Sequence, residues 1–195
     1  MKGLKFFSSE VFLGTLIAIL SIGTAYASYL GGVADSEQSK NELLGMQMLT
    51  DANAEYLTAN QDIIQDYTYF DNWYINPDPE ISEYYQENFS EALTAAMERA
   101  DYPFDEQYYT DMYELPNQMF EETDGYFETG SQWDDRGDKL QLVMLIMALG
   151  LAFAAWASLL GEENKMRVLF AVFGLGTLIM GIVIYLSVPV IAAAG

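Results

Sequence analysis

Hydrophobic residues in this chain form three long runs without a charged residue, at 11–34, 140–160 and 168–195. A polar stretch of about a hundred residues separates the first run from the second. A helix that rises about 1.5 Å per residue needs about 20 apolar residues to cross a hydrocarbon core of about 30 Å. The pattern therefore predicts three transmembrane helices. The predicted boundaries are a cytoplasmic N-terminus at 1–10, transmembrane helix 1 at 11–34, an extramembrane domain at 35–138, transmembrane helix 2 at 139–160, a cytoplasmic connector at 161–167, and transmembrane helix 3 with the C-terminus at 168–195.

The first run also resembles a secretory signal, because Lys2 and Lys5 precede it and Ala25-Tyr26-Ala27 offers a small-residue cleavage site. The uncharged run continues past Ala27 to Ala34, so we expect an uncleaved anchor. The connector between the second and third helices is short, which predicts an antiparallel hairpin. Small residues spaced by four predict close helix packing. These pairs are Gly23 with Ala27, Ala148 with Ala152, and Ala154 with Ser158.

Apolar residues of the polar stretch recur every three or four positions in two series, the spacing of one helix face. The first series is Met46, Leu49, Ala52, Tyr56, Ala59, Ile63, Tyr67, Phe70 and Tyr74, and the second is Ile81, Tyr85, Phe89, Leu93, Ala96, Met97 and Ala100. The first series predicts one long helix from the membrane to about Ile75, with a bend allowed at Gly31-Gly32. The acidic residues off this series, which are predicted to be solvated, are Asp51, Glu55, Asp62 and Asp66.

Asn76-Pro77-Asp78-Pro79 predicts the end of that helix and the start of the next, since Asp78 is a good N-cap and Pro79 suits the first helical position. The second helix is expected to end near Tyr102-Pro103. From Phe104 to Gly130 the pattern favours short helices broken by Pro116 and Gly125. Their apolar residues are Tyr108, Tyr109, Tyr113, Met119, Phe120 and Phe127.

Charge is concentrated in residues 35–138, which carry 26 Asp and Glu but only the basic residues Lys40, Arg99 and Arg136. Such charge alone is typical of a disordered acidic segment. Residues 56–133, however, contain eleven Tyr, five Phe and two Trp, which are residues that bury surface. We therefore predict an all-α membrane protein with three transmembrane helices and a helical, acidic, tyrosine-rich extramembrane domain inserted between spans one and two.

The chain has no cysteine and no histidine. Disulfides are thereby excluded, and so are the usual acid-base catalyst and nearly every zinc, haem or iron-sulfur ligand set. No span contains an ionisable residue between its ends, which argues against a proton relay or an ion-coupled transporter. We predict no enzyme activity, no cofactor other than a calcium ion, and no nucleic-acid partner, because an acidic surface repels phosphates.

The run Asp134-Asp135-Arg136-Gly137-Asp138 provides the candidate metal site. Calcium takes several oxygen ligands, so Asp134, Asp135 and Asp138 are the predicted metal residues. The alternative is that Arg136 and Lys139 pair with these acids. The Arg-Gly-Asp triplet is too short to indicate cell adhesion. Around Gly125 an EF-hand is rejected, since its first and twelfth positions would be Phe120 and Ser131. Asn88-Phe89-Ser90 matches a glycosylation sequon but is expected to lie within a helix.

Basic residues predict the orientation. Lys2 and Lys5 precede the first span, and Lys165 and Arg167 lie in the connector, so three crossings place all four on one side. If that side is the cytoplasm, residues 35–138 lie on the extracytoplasmic side of the cell (inner) membrane. Lys40, Arg136 and Lys139 lie close to membrane ends on the opposite side and weaken this bias.

Several segments resemble a family of uncharacterised bacterial membrane proteins of about this length. The resembling segments are Ser9-Glu10-Val11, Ala27-Ser28-Tyr29, Ser36 to Lys40, Leu49 to Ala54 with Tyr56, and the late helical hairpin. The resemblance covers the first ~70 residues and the C-terminal pair of spans in outline, while the acidic middle departs from it. It implies one N-terminal span, a helical extramembrane region and a C-terminal pair, but no active site.

Two function classes are compatible with these features. The first is a non-enzymatic membrane scaffold or accessory subunit, whose acidic helical domain binds other membrane-protein chains or copies of itself. The second is an oligomeric cation-conducting or cation-sensing protein with a carboxylate-rich outer mouth. The second class lacks a polar stripe in any span to line a pore. Membrane lipid is the expected surrounding in both cases.

Overall fold

The computed structural model describes residues 6–99 and 102–191, and the chain is all-helical there, with no strand. Its six helices are α1 (Glu10–Ile75), α2 (Pro79–Glu87), α3 (Glu91–Arg99), α4 (Glu106–Met112), α5 (Glu114–Leu159) and α6 (Lys165–Leu186). Three of them, α1, α5 and α6, are long and apolar enough to cross a membrane, which confirms the predicted number of such helices. Predictions that involve Lys2, Lys5, Ala100 and 192–195 fall outside the described residues.

Helix α1 is one continuous helix of 66 residues that passes through Gly31-Gly32 and ends at Ile75, as predicted. The predicted cap of the next helix is also confirmed. The Asp78 side chain accepts a hydrogen bond from the Glu80 N–H at 3.0 Å, and Pro79 is the first helical residue. A proline at this position loses no helical hydrogen bond, because the first N–H groups of a helix have no partner within it.

The predicted single helix after Pro79 is wrong, because the chain forms α2 and α3 with a break at Asn88–Ser90. Asn88 caps the C-terminal end of α2. Ser90 then accepts a hydrogen bond from the Leu93 N–H at 3.0 Å, which caps α3. Serine is a preferred residue at a helix start. Because the break includes Asn88, Phe89 and Ser90, the sequon lies at a helix junction and not within a helix.

The predicted breaks at Pro116 and Gly125 are also wrong. Helix α5 begins at Glu114 and runs 46 residues to Leu159. Pro116 lies in its first turn, where a missing N–H costs nothing. Gly125 lies in its interior, where glycine costs about 1 kcal/mol relative to alanine without stopping a helix.

The chain divides into two compact units, which we name unit 1 (Met1–Asn41 with Glu128–Gly195) and unit 2 (Glu42–Phe127). Buried residues in unit 1 follow steps of three, four or seven along each helix. They are Leu13, Leu16, Leu20, Ala27, Gly31 and Ala34 on α1; Gly130, Gly137, Leu140, Val143, Met147, Gly150, Ala154 and Ala157 on α5; and Arg167, Ala171, Gly174, Leu178 and Gly181 on α6. This repeat of 3.5 residues is the one that packs helices as in a left-handed coiled coil.

The hairpin of α5 and α6 is antiparallel, as predicted, since Met147 lies beside Gly181 and Gly150 lies beside Gly174. A Cβ added at Gly174 would lie 3.2 Å from the Gly150 carbonyl oxygen, so the two backbones approach closely. The predicted spacing of small residues is only partly right. Ala27 and Ala154 are buried, and a Cβ at Gly23 would meet Met147, but Ala148, Ala152 and Ser158 are exposed. The heptad positions of α5, and not its alanine pairs, select the packed face.

Side chains on each side of the connector close its helix ends. Asn164 caps α6 by accepting a hydrogen bond from the Met166 N–H at 2.9 Å. The buried Arg167 donates from Nη1 to the Leu160 carbonyl oxygen at 2.5 Å, just after α5 ends. A cation at a helix C-terminus is favourable because the exposed carbonyl groups carry negative partial charge.

Unit 2 has a core of aromatic and aliphatic side chains. Its buried members are Ile63, Phe70, Leu93, Ala96, Phe104 and Tyr108. The predicted face of α1 is right for Ala52, Ala59, Ile63 and Phe70, but its other five members are exposed: Met46, Leu49, Tyr56, Tyr67 and Tyr74. The buried face instead includes Gly45, where an added Cβ would lie 2.9 Å from the Phe127 ring, and Asp66.

Candidate functional site

Asp66 is the central polar residue of unit 2, and its side chain is 98% buried, with only 2% exposed. The carboxylate accepts hydrogen bonds from the Ser90 N–H at 3.0 Å, the Ser90 hydroxyl at 2.5 Å and the Tyr108 hydroxyl at 2.8 Å. The prediction that Asp66 is solvated is therefore wrong. It ties α1 to the start of α3 and to α4, and hydrogen bonds to a charged acceptor are among the strong ones.

The tyrosines of unit 2 are linked by hydroxyl hydrogen bonds and ring contacts. Burial raises the pKa of Tyr108 well above its usual value, and its hydrogen bond to Asp66 raises it further. The hydroxyls of Tyr67 and Tyr109 share a short hydrogen bond, which with burial raises the pKa of Tyr67 to about 12. Tyr113 stacks on Tyr56 with ring centroids 5.1 Å apart. At neutral pH the Tyr67 and Tyr108 hydroxyls are therefore protonated, and the Tyr108 hydroxyl is a structural donor to Asp66.

Arg99 is the sole basic residue in the sequence from 42 to 127, which contains 20 acidic residues. Its guanidinium donates to Asp105 at 3.0 and 3.3 Å and lies 3.9 Å from Asp111. Asp105 also accepts a hydrogen bond from the Tyr108 N–H, which caps α4. The one basic residue of unit 2 therefore already has acidic partners, and it joins the end of α3 to the start of α4.

A cleft of about 500 Å³ opens where α1, the start of α3 and the junction of α4 with α5 meet. We name it the acidic cleft. Its lining residues are Glu55, Thr58, Ala59, Asp62, Ser90, Glu91, Ala92, Ala95, Asp111, Met112, Glu114, Leu115 and Pro116. Five of these side chains are carboxylates, and six of the other eight are apolar. Its volume lies within the range of natural ligand sites, about 300–1,000 Å³.

The walls of the acidic cleft are fixed by the contacts described above. Asp66 holds Ser90 against α1, and the Tyr113 hydroxyl donates to Asn60 on α1 at 2.9 Å. Glu55, Asp62 and Glu91, in contrast, form no hydrogen bond or ion pair through their side chains with any described residue. Glu55 and Asp62 lie two helical turns apart, so about 10 Å separates their backbone positions.

This cleft was not predicted from the sequence. The available signal was the pair Glu55 and Asp62 on either side of the small residue Ala59. That signal shows an acidic helix face with a depression, but it does not show that α3 and the start of α5 close around it. The closing residues are distant in sequence, and their pairing comes from the Asp66 network.

The predicted metal residues Asp134, Asp135 and Asp138 all lie exposed on α5. Among the residues that the structure describes, no three Asp or Glu side chains are grouped so that they could hold a metal ion. Calcium binding at these positions stays a prediction, and we base no proposal on it.

Arg136, a basic neighbour of these acids, has other contacts. Arg136 donates to the Pro189 carbonyl oxygen, and its guanidinium lies 5.9 Å from the Trp133 ring centroid. The alternative was that Arg136 or Lys139 pairs with the three acids. Among the described residues, neither basic residue forms an ion pair with them. Gly137 of the Arg-Gly-Asp triplet is buried, since an added Cβ would lie 2.9 Å from an Asp35 carboxylate oxygen.

Comparison with known proteins gives no match, whether with protein-family models, with curated proteins or with solved structures. The family resemblance noted in the sequence therefore has no independent support.

Proposed function

We propose that the protein is a non-enzymatic membrane scaffold or accessory subunit, in which unit 2 is an acidic extramembrane domain that binds partner chains. The observation that carries the proposal is the acidic cleft. Its walls are pinned by hydrogen bonds, while three of its carboxylates have no partner within the described residues. Unpaired carboxylates beside an apolar floor are a surface that gains from a ligand of opposite charge.

Placement in the membrane is part of this proposal. The three helices with membrane-spanning composition would anchor the chain in the cell (inner) membrane. The basic-residue bias favours the extracytoplasmic side for residues 35–138. A glutamate-specific protease added to intact cells should then cut this region, and cleavage only after permeabilisation would contradict the orientation.

The alternative of a cation-conducting assembly has no specific observation in its favour. The described interior side chains of unit 1 are apolar or small, apart from Arg167, which is bonded to the Leu160 carbonyl. A water-filled pathway within this unit would need polar groups along its wall. We therefore propose the scaffold function alone.

The test is purification of the tagged full-length protein from its native membrane in mild detergent, followed by mass measurement of intact complexes. We expect a defined complex with at least one other chain at fixed stoichiometry. The Asp66→Ala variant should lose that chain, because it disorders the walls of the cleft, while the exposed Gly176→Ala variant keeps it. A wild-type protein that is always a lone monomer contradicts the proposal.

A further inference from the structure

The charge of unit 2 restricts which partner its surface accepts. Residues 42–127 contain 20 acidic residues and the single cation Arg99, which is already bonded to Asp105. Two copies of such a surface repel each other, and like-charge contacts suppress association. A second unit 2 is therefore a poor occupant of the acidic cleft.

The lining of the acidic cleft has two chemical parts. Ala59, Ala92, Met112 and Leu115 provide apolar contact area. Carboxylates from three directions surround this area, with Glu55 and Asp62 on α1, Glu91 on α3 and Glu114 on α5. An occupant that satisfies both parts carries aliphatic groups on one face and cations at the margins of that face.

Glu55 and Asp62 share one face of α1, and the two turns between them span about 10 Å. Basic side chains two turns apart on a partner helix have the same separation. Lysine and arginine also have long apolar stems, which cover apolar surface while the charged end reaches a carboxylate. An isolated metal ion would use the carboxylates but leave the apolar floor without a partner.

We propose that the acidic cleft binds a basic amphipathic segment of a different polypeptide, with apolar side chains on Ala59, Met112 and Leu115 and with lysine or arginine paired to Glu55, Asp62 and Glu91. This inference rests on the proposed scaffold function and specifies the chemistry of its partner. It accounts for a fixed cleft that is lined by five carboxylates and contains no basic residue.

The test uses the full-length protein in nanodiscs of zwitterionic phosphatidylcholine. The probe is a fluorescent 15-residue helical peptide with leucine on one face and lysine at the margins of that face. A peptide of the same composition in scrambled order is the peptide control. Fluorescence anisotropy should show saturable binding of the amphipathic peptide, at least about tenfold tighter than the scrambled one, with weaker binding as salt rises.

Two triple variants with the same change in net charge locate the site. The cleft variant is Glu55→Gln, Asp62→Asn and Glu91→Gln. The matched control is Asp51→Asn, Asp71→Asn and Glu122→Gln, at exposed positions outside the cleft. We expect the cleft variant to weaken peptide binding about tenfold or more and the control to weaken it no more than about twofold.

Equal losses in the two triple variants would overturn the inference, because diffuse charge would then explain the binding. Saturable binding of spermidine or calcium without any peptide binding would also overturn it, as would a dimer of this chain that the cleft variant abolishes. The scaffold proposal fails separately. If the native complex persists in the cleft variant, the scaffold stands and the basic-segment inference falls, whereas a monomer in native membranes removes the scaffold itself.

Discussion

Each of the two compact units of this chain is stabilised internally by a different kind of side chain. In unit 1, Gly150 and Gly174 bring two helices into near backbone contact, and most of the buried positions along each helix are leucine, alanine or glycine. In unit 2, the core is built from rings such as Phe70, Phe104 and Tyr108, and it contains the buried carboxylate of Asp66.

The difference corresponds to the surroundings that we propose for the two units, which are lipid for unit 1 and water for unit 2. In lipid there is no hydrophobic gain from bringing apolar helices together, so close packing through small residues provides the stability. In water, burial of large apolar rings is the main favourable term, and a buried carboxylate is tolerated when it is fully hydrogen-bonded. We therefore expect the two units to be destabilised by different kinds of substitution.

The largest effect is expected from Asp66→Ala. This change removes the acceptor of three hydrogen bonds and leaves the Tyr108 hydroxyl and the Ser90 N–H and hydroxyl without their partner. Buried donors left unpaired cost about 1–3 kcal/mol each, so we expect unit 2 to lose roughly 3 kcal/mol or more. Pulse proteolysis with a glutamate-specific protease, followed over residues 42–127, measures this loss.

A neighbouring acid provides the control for Asp66. Asp62 lies one turn earlier on α1 and is exposed, so Asp62→Ala should change the stability of unit 2 by no more than about 0.5 kcal/mol. Equal protease susceptibility of the two variants would mean that the hydrogen-bond network does not hold unit 2 together.

The next effect concerns unit 1. Gly174→Leu places a side chain where even a Cβ would lie 3.2 Å from the Gly150 carbonyl oxygen. Overpacking of this kind costs about 1–3 kcal/mol. An added Cβ at Gly176 on the same helix would meet nothing within 4 Å, so Gly176→Leu is the matched control. Titration with SDS, monitored by helical circular dichroism, should show earlier unfolding for Gly174→Leu alone, and identical curves would contradict close backbone packing.

Alkaline pH should destabilise unit 2 through its tyrosines. Tyr67 has a folded pKa raised to about 12, mainly through its hydrogen bond with Tyr109, against about 10 for an unfolded tyrosine. The resulting stability is fully present below pH ~10 and is lost as pH rises through ~12. Near-ultraviolet circular dichroism should therefore fade over this range, and less steeply in Tyr67→Phe. Tyr84→Phe, at an exposed position, is the control, and the same profile in all three proteins would refute the assignment.

Much of the fold could be predicted from the sequence, because uncharged runs and capping residues act locally. The three apolar helices and the Asp78 cap depend on nearby residues alone. The break at Ser90 and the burial of Asp66 could not be predicted this way, since each depends on the other across 24 residues. The acidic cleft was missed for the same reason. A charged residue off an apolar stripe is usually solvated, and only tertiary packing identifies the exception.

The smallest effect is expected at the exposed ion pair of unit 2. Arg99, mainly by its hydrogen bonds, and the Tyr108 N–H hold the pKa of Asp105 below its usual range. This contribution is present above about pH 4 and is lost as pH falls through the lowered folded pKa. Arg99→Gln should lower the melting temperature of unit 2 slightly, and high salt should reduce the difference, because exposed pairs are screened. Asp105→Ala also removes the α4 cap and should therefore cost more. If Arg99→Gln is as damaging as Asp105→Ala, the ion pair and not the cap holds α4 in place, and electrostatics contribute more to unit 2 than its aromatic core suggests.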